Sequence, residues 1–273
     1  MRLINLKPSR ATAIALGALP FAIAVGAYAI GSAIRRADNP ADKLLPSLQA
    51  IGEAMYRMAA VADNRTGDYL LWTDTAASLE RLGLGIAIAA ALAFVLAALI
   101  GVLPTARALF SPFVSAFSLI PPITILPILF IVLGLGEAAK IGLVVVGTAP
   151  LMTRALAQGV LDIPQEEIVK AQTLGASTWQ IATRIVFPRM GPLLLVAIRL
   201  GLVPAWIFLI SAEAIAATDG LGYRIFLVRR YLAMDVILPY VVWITVLAYA
   251  IDRVLAFFSR RMFPWAHLSG DRL

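Results

Sequence analysis

Three charged residues stand inside, or at the end of, strongly apolar segments. Arg199 and Asp252 lie within such segments, and Glu213 ends one of them. Arg199 follows Arg189 by ten positions, which is about 15 Å along a helix and near the middle of a bilayer. A charge at that depth is a functional candidate, here for attracting an anion. Two alternatives stay open: Asp252 neutralises Arg199 as a structural partner, and Glu213 simply reaches outer water.

The chain lacks the residue patterns that most catalytic sites need. None of its lysines follows a glycine, so it has no G-x-x-x-x-G-K-[ST] loop for nucleotide phosphates. It has no cysteine, its single His267 lies in a polar tail, and it contains neither H-E-x-x-H nor G-x-S-x-G. The sequence therefore predicts no catalytic residue, no metal site and no ATP binding through a phosphate loop.

Composition predicts a membrane protein. The 273 residues are 61% hydrophobic and 14% charged, with a mean hydropathy of +0.88. No soluble domain of this length needs so much apolar side chain. The net charge of +7 is compatible with binding nucleic acid or with orientation in a membrane. Because the bases lie mostly beside apolar segments, we expect membrane orientation and no nucleic-acid partner.

Segments of about 20 apolar residues predict an all-α, polytopic protein with about six transmembrane helices. The predicted spans cover residues 11–34, 82–103, 109–135, 141–157, 191–212 and 236–258. The first span is similar to a signal peptide, because bases precede it and Ala27-Tyr28-Ala29 resembles a cleavage site. Its uncharged stretch exceeds an ordinary signal core, so a retained helix is favoured.

The bases also predict which side of the membrane each part occupies. Arg2, Lys7 and Arg10 favour a cytoplasmic N-terminus, and six crossings return the tail to the same side. We then expect three parts, an N-terminal transmembrane helix, a loop on the outer side and a core membrane domain, at residues 1–36, 37–81 and 82–273. Within the loop, residues 73–82 are predicted to form an amphipathic helix that enters the second span.

Prolines set the third span apart from the others. Pro112, Pro121, Pro122 and Pro127 all lie in it. A lipid-facing helix would leave carbonyls unpaired at these prolines, so we expect a bent segment that packs in protein or lines a cavity. Pro121 and Pro122 are therefore candidate pathway residues, with a merely kinked helix as the alternative.

One polar interruption, residues 162–188, separates the fourth and fifth spans. Asp162 is predicted to cap a helix, with Gln165 closing a capping box, and Gly175 provides a left-handed stop. Ser177 and Gln180 start a second box, and that helix should end before Pro188. This pattern predicts a helix, a tight turn and a helix outside the lipid. The pair either docks on a partner or lies on the lipid headgroups.

Several motifs in and around this interruption resemble those of a known family. Thr173-Leu174-Gly175-Ala176-Ser177, followed by Ile185-Val186-Phe187-Pro188, is similar to the cytoplasmic coupling-loop signature of ABC importer permeases of the binding-protein-dependent kind. The glutamate-alanine-alanine opening is degraded: Val169 and Lys170 replace its first two residues, while Ala171 fits. Further similar motifs are Ser78-Leu79-Glu80-Arg81, Leu133-Gly134-Leu135-Gly136-Glu137, Ala212-Glu213 and Gly220-Leu221-Gly222-Tyr223. Together they resemble the nitrate, sulfonate and bicarbonate branch, which includes taurine permeases.

The resemblance implies a type I ABC importer permease fold in a bacterial inner membrane. It implies a separate ATPase that carries ATP and Mg²⁺, a periplasmic binding protein, and a second permease subunit, with a homodimer favoured. The residues it assigns to ATPase coupling are Asp162, Glu166, Glu167, Lys170, Ala171, Leu174, Gly175, Ala176 and Ser177.

The transported solute is the least determined part of the prediction. The resemblance favours a small anion such as nitrate or an alkanesulfonate, and the pathway candidates are Pro121, Pro122, Arg199 and Glu213. An ion-coupled secondary carrier is the alternative function, although such carriers usually show paired halves and this sequence has no internal repeat.

Overall fold

A computed structural model describes residues 8–39, 42–64 and 66–267. These residues form α-helices joined by short loops, with no strand among them, so the predicted all-α class is confirmed. The basic residues Arg2 and Lys7 lie outside the described ranges. In chain order the helices are α1 (Arg10–Asp38), α2 (Leu48–Ala60), α3 (Leu70–Val102), α4 (Pro104–Phe117), α5 (Pro122–Leu133), α6 (Glu137–Leu161), α7 (Gln165–Thr173), α8 (Thr178–Ile181), α9 (Phe187–Ala216), α10 (Leu221–Arg229) and α11 (Met234–Met262). A π-helical turn (Ala182–Val186) joins α8 to α9, and a 3₁₀ turn (Pro264–His267) follows α11.

The described residues form two compact units. The first contains the residues up to Tyr69 together with Val228–Val241. Within it, the hydroxyl of Ser32 in α1 donates to the carbonyl oxygens of Leu45 and Pro46, at 2.9 and 3.0 Å. These bonds tie the loop that precedes α2 to α1. The pKa of Asp42 in this loop is lowered by the hydrogen bond from Arg35 and by the Leu44 N–H.

The second unit contains Leu70–Leu227 and the described residues from Val242 onward. Its core lies between α3, α6 and α9, where small residues let the helices approach closely. A Cβ added at Gly85 would lie 2.7 Å from Val144, and one added at Gly101 would lie 2.3 Å from Val160. Close backbone approach of this kind is typical of helices packed within a membrane.

These two contacts show that α3 and α6 run parallel, because the order of Gly85 and Gly101 matches that of Val144 and Val160. The α4–α5 segment between them must therefore return the chain from one end of α3 to the other. The two helices are bent by 98°. With 14 and 12 residues, they span about 26 Å end to end at 1.5 Å per residue, close to the thickness of a hydrocarbon core. The pair is thus one broken span and not a re-entrant loop.

Five long helices and this broken span agree with the prediction of about six transmembrane helices. The second span begins earlier than predicted: residues 73–82 are helical, as expected, but α3 starts at Leu70 and runs through them without a break. Hydropathy hid this extension because Asp74, Ser78 and Arg81 share one helix face and are buried there against polar partners. The division at residues 36 and 81 into three functional parts remains a prediction.

Candidate functional site

Residues 162–188 directly follow α6 and begin where the C-terminal ends of α3 and α6 meet. The turn in this segment is built as its residues predict. Gly175 has φ of +80°, a left-handed conformation that favours glycine. Ser177 Oγ accepts from the Gln180 N–H at 3.3 Å, while Gln180 Oε1 accepts from the Ser177 N–H at 2.8 Å. The predicted second capping box is therefore confirmed.

The first predicted capping box is wrong. Because α6 continues to Leu161, Asp162 closes that helix instead of opening the next one, and its carboxylate accepts from the Gln158 amide at 2.8 Å. The following helix, α7, begins at Gln165, and Pro164 stands at its cap position without a side-chain hydrogen bond. A proline cannot donate from its backbone, so it suits this position without any capping partner.

The predicted end of the second helix before Pro188 is also wrong. The π turn joins α8 directly to α9, and the Phe187 N–H donates to the carbonyl oxygen of Ala182, five residues back. Proline interrupts an α-helix because its ring clashes with the carbonyl four residues back. The wider π turn relieves this clash, so Pro188 becomes an early residue of a long, uninterrupted helix.

An apolar surface remains uncovered on this segment. The side chains of Val169, Leu174 and Trp179 are 53%, 80% and 70% exposed, whereas Ile181 and Val186 are buried in the core. We call Val169, Leu174 and Trp179 the coupling patch. Exposed large apolar side chains in a polar segment fit both alternatives that the sequence left open, docking on a partner and contact with lipid headgroups.

Of the coupling patch, only Leu174 is among the predicted coupling residues, and the other predicted residues differ in their exposure. Asp162, Glu166, Lys170, Gly175 and Ser177 are exposed, while Ala171 and Ala176 pack partly buried against the core. Glu167 accepts from the Arg189 guanidinium at 2.5 Å and so links α7 to α9. Both side chains are half-exposed, and an exposed pair of this kind contributes only about 0–1 kcal/mol.

A buried ion cluster lies at the opposite end of α3. Arg81 donates through Nε and Nη2 to Glu137, at 2.5 and 2.9 Å, and through Nη1 to Glu213 at 2.9 Å. Its Nη2 also donates to the Asp219 carboxylate. Lys140 reaches Glu137 at 2.8 Å. Arg81 therefore holds three carboxylates from α6, from α9 and from the loop after α9.

Glu213 is fully buried, so the alternative that it reaches water is wrong. Besides Arg81, it accepts from the Ser78 hydroxyl and from the Gly222 N–H, both at 2.8 Å. These three donors compensate the cost of burying a carboxylate. The charged end of α9 is therefore locked to α3 and to α10.

Asp74 and Arg224 extend the same cluster. Arg224 Nε donates to Asp74 at 2.7 Å, and the N–H of Gly220 donates to the same carboxylate at 3.0 Å. Asp74 is fully buried. A Cβ added at Gly220 would lie 2.6 Å from Glu213 Oε1. The loop between α9 and α10 thus passes so close to the carboxylates that only glycine fits there.

Arg199 and Asp252 form the ion pair that the sequence left as one of two alternatives. Arg199 donates through Nε and Nη2 to the two carboxylate oxygens, at 2.7 and 3.1 Å, which joins α9 to α11. The two side chains are 35% and 34% exposed. The bidentate geometry leaves little of the Arg199 charge uncompensated.

Pro121 and Pro122 lie at the bend of the broken span, with Pro122 as the first residue of α5. The prediction that this segment is bent is confirmed, and the merely kinked helix is excluded by the angle of 98°. Leu119 beside the bend is 78% exposed. Within the described part of the chain, no group of three acidic or histidine side chains is arranged to hold a metal ion.

Sequence reasoning did not identify Arg81 and its partners as one site. The signal was present, because four of the motifs quoted above contain Ser78, Arg81, Glu137, Glu213 and Gly222. Nothing local in the sequence shows that these motifs meet, since Arg81 and Asp219 are separated by 138 positions along the chain. Asp74 and Arg224 lie outside those motifs.

Comparison with known proteins gives a consistent result. The family model for the binding-protein-dependent transport system inner membrane component matches residues 83–264. The taurine transport system permease protein TauC of Escherichia coli (strain K12) is 36% identical over 199 residues, which cover 72% of each chain. The nitrate import permease protein NrtB of Synechocystis sp. is 24% identical over 202 residues, which cover 74% of each chain.

Solved structures agree on the fold. A chain in an inward facing structure of the MetNI methionine ABC transporter superposes with a TM-score of 0.55 and 24% sequence identity. The match covers 70% of the present chain and 93% of that chain.

Proposed function

We propose that this chain, which belongs to the family of binding-protein-dependent transport system inner membrane components, docks a separate ATPase through residues 162–188. The chain is a multi-pass permease subunit of an ABC importer in the inner membrane, with the type I fold. This function replaces the alternative of an ion-coupled carrier. ATP and Mg²⁺ bind to the ATPase partner, which closes and opens to drive transport.

The observation that carries the docking proposal is the coupling patch. Its three large apolar side chains are exposed, whereas Ile181 and Val186 of the same segment are buried in the core. A groove on a partner protein would remove this area from water, which favours association. The charged residues Glu166 and Lys170 flank the patch and supply a polar rim.

The assembly contains two permease subunits, two ATPases and one periplasmic binding protein. We propose that the two permeases are copies of this chain. In support, α9 carries a stripe of exposed apolar side chains at helical spacing, namely Leu200, Val203 and Ile207. Such a stripe packs against lipid or against a second subunit, and the family favours the second subunit.

The solute is a small anion. TauC is named for taurine and NrtB for nitrate, and a sulfonate and nitrate share negatively charged oxygen acceptors. Pro121 and Pro122 remain the candidate pathway residues, because Pro121 and the neighbouring Leu119 and Ile120 are exposed beside the bend. For Arg199 and Glu213 we propose a positioning role, since their ion pairs hold neighbouring helices together.

Copurification tests the docking proposal. Trp179→Ala should weaken ATPase binding about 30-fold and so reduce the amount that copurifies with the permease, because a well-packed aromatic contact at an interface contributes about 2 kcal/mol. Tyr231→Ala is the control, since the Tyr231 side chain is also 70% exposed but lies outside residues 162–188. Equal ATPase recovery with both variants would overturn the assignment.

A further inference from the structure

Arg154 in α6 has a hydroxyl group as its partner. Its Nη1 donates to Ser118 Oγ at 3.0 Å. No carboxylate within the described ranges forms a salt bridge with it, whereas Arg81 and Arg199 both bind carboxylates. A guanidinium has five N–H donors, so most of those of Arg154 remain available.

The Arg154 guanidinium, with these available N–H donors, belongs to the predicted membrane-spanning segment 141–157. Arg154 precedes the end of α6 at Leu161 by seven positions, which is about 10 Å along the helix. A charge at that depth needs water, protein or an anion around it. Its Ser118 partner immediately precedes the bend of the broken span, where Pro121 and Pro122 lie.

Arg154 also lines a cavity of about 200 Å³ between α4 and α6. Its polar lining residues are Ser111, Ser115, Thr153 and Gln158. The Thr153 hydroxyl donates to the Ala149 carbonyl, and the Gln158 amide donates to Asp162. The hydroxyls of Ser111 and Ser115 make no hydrogen bond to the part of the chain that the structure describes.

We propose that Arg154, together with the hydroxyls of Ser111 and Ser115, binds the anionic oxygen group of the transported solute. The Ser118 hydroxyl is not one of the donors, because it already donates to the Ser115 carbonyl at 2.8 Å. The site offers a fixed positive charge and hydroxyl donors and holds no acid, which is the chemistry that recognises an oxyanion. The cavity is smaller than a typical pocket for a drug-sized ligand and suits nitrate or a sulfonate group. This inference rests on the proposed function, because it takes the cavity to open to the solute pathway.

A lipid phosphate offers the same oxygen acceptors, so the experiment must separate the two sources. The chain has no cysteine, which allows a single cysteine to be introduced by Ser115→Cys in the assembled transporter. Its modification rates by the anionic reagent sulfonatoethyl methanethiosulfonate and by the cationic trimethylammonium analogue are then compared. Adding Arg154→Gln should lower the ratio of anionic to cationic rate about tenfold, because a nearby positive charge is lost.

Thr124→Cys is the matched control, since Thr124 is exposed on α5 but does not line the cavity. Arg154→Gln should leave the rate ratio at this position unchanged. With Arg154 intact, nitrate or taurine should slow the anionic reaction at position 115. An unchanged rate ratio at position 115, or no protection by either anion, would overturn the site.

Transport measurements give the second readout. In vesicles of phosphatidylcholine that contain the ATPase and binding protein, Arg154→Gln should lower uptake of nitrate or taurine at least about tenfold, a change of 1.4 kcal/mol in the transition state. Arg253→Gln, which alters another exposed arginine of a spanning helix, should transport normally. A loss seen only after phosphatidylglycerol is added would identify a lipid contact and overturn the proposal. Absence of ATP-driven uptake in the unaltered protein would instead refute the proposed function, while the labelling ratio would still report on the site.

Discussion

Arg81 Nη1 lies 2.9 Å from Glu213 Oε1, and both side chains are shielded from solvent. The pair joins α3 to α9, and the other nitrogen atoms of Arg81 reach α6 and the loop before α10. One guanidinium therefore determines how four elements meet at this end of the bundle. Its removal leaves the fully buried carboxylate of Glu213 without its charged partner.

We expect Arg81→Gln to destabilise the subunit strongly. A buried carboxylate that loses its partner typically costs about 3–5 kcal/mol, so the thermal unfolding midpoint in detergent should fall well below that of the unaltered protein. The double change Arg81→Gln with Glu213→Gln should recover part of the loss, because no unpaired charge then remains at position 213. Unfolding of Arg81→Gln at the original temperature would show that the cluster does not stabilise the fold.

Gly175→Val should weaken ATPase assembly while the subunit still inserts in the membrane. An added Cβ would touch nothing within 4 Å, so the expected cost of about 1 kcal/mol or more comes from the left-handed backbone alone. Gly175→Asn is the control, because asparagine tolerates this conformation. We would abandon the docking assignment if valine and asparagine allowed equal copurification of the ATPase and equal uptake.

Arg199→Gln should lower the amount of folded subunit, because it leaves Asp252 unpaired within the membrane. Asp252→Asn alone should have a similar effect. The double change should restore both protein level and solute uptake if the pair is structural. A restored protein level with uptake still lost would mean that Arg199 acts on the anion directly.

The purified chain should hydrolyse no ATP, since it lacks the lysine of a phosphate loop. Activity should appear when the ATPase subunit is added, and it should fall when Trp179→Ala is used. Hydrolysis by the permease alone, free of other chains by mass spectrometry, would contradict this expectation.

The features that sequence predicted well are those fixed by neighbouring residues. Gly175 and the pair Ser177 and Gln180 determine a turn and a cap within a few positions. The prolines of the third span determine a bend in the same local way. For these features, the residues of one segment are sufficient to predict the backbone conformation.

The features that sequence missed depend on contacts between distant segments. Asp74 lies in a segment that the sequence predicts outside the membrane span, but its buried carboxylate binds Arg224 and the N–H of Gly220, far along the chain. Pro188 looked like a helix terminator because the proline rule assumes α-helical hydrogen bonds, and the π turn changes them. In both cases tertiary packing overrides the local pattern.

The π turn has a mechanical consequence. Since α8 continues through it into α9, Trp179 and Glu213 belong to one rod of about 50 Å, at 1.5 Å per residue. With an ATPase docked at Trp179, we expect a displacement there to reach Glu213, and through Arg81 to reach α3 and α6, without passing through any loop. The places where the rod bends most easily are the π turn and the prolines Pro188, Pro192 and Pro204. Spin labels at positions 179 and 211 should keep a constant separation during the ATP cycle, and a separation that changes would place the moving joint in the π turn or in α9.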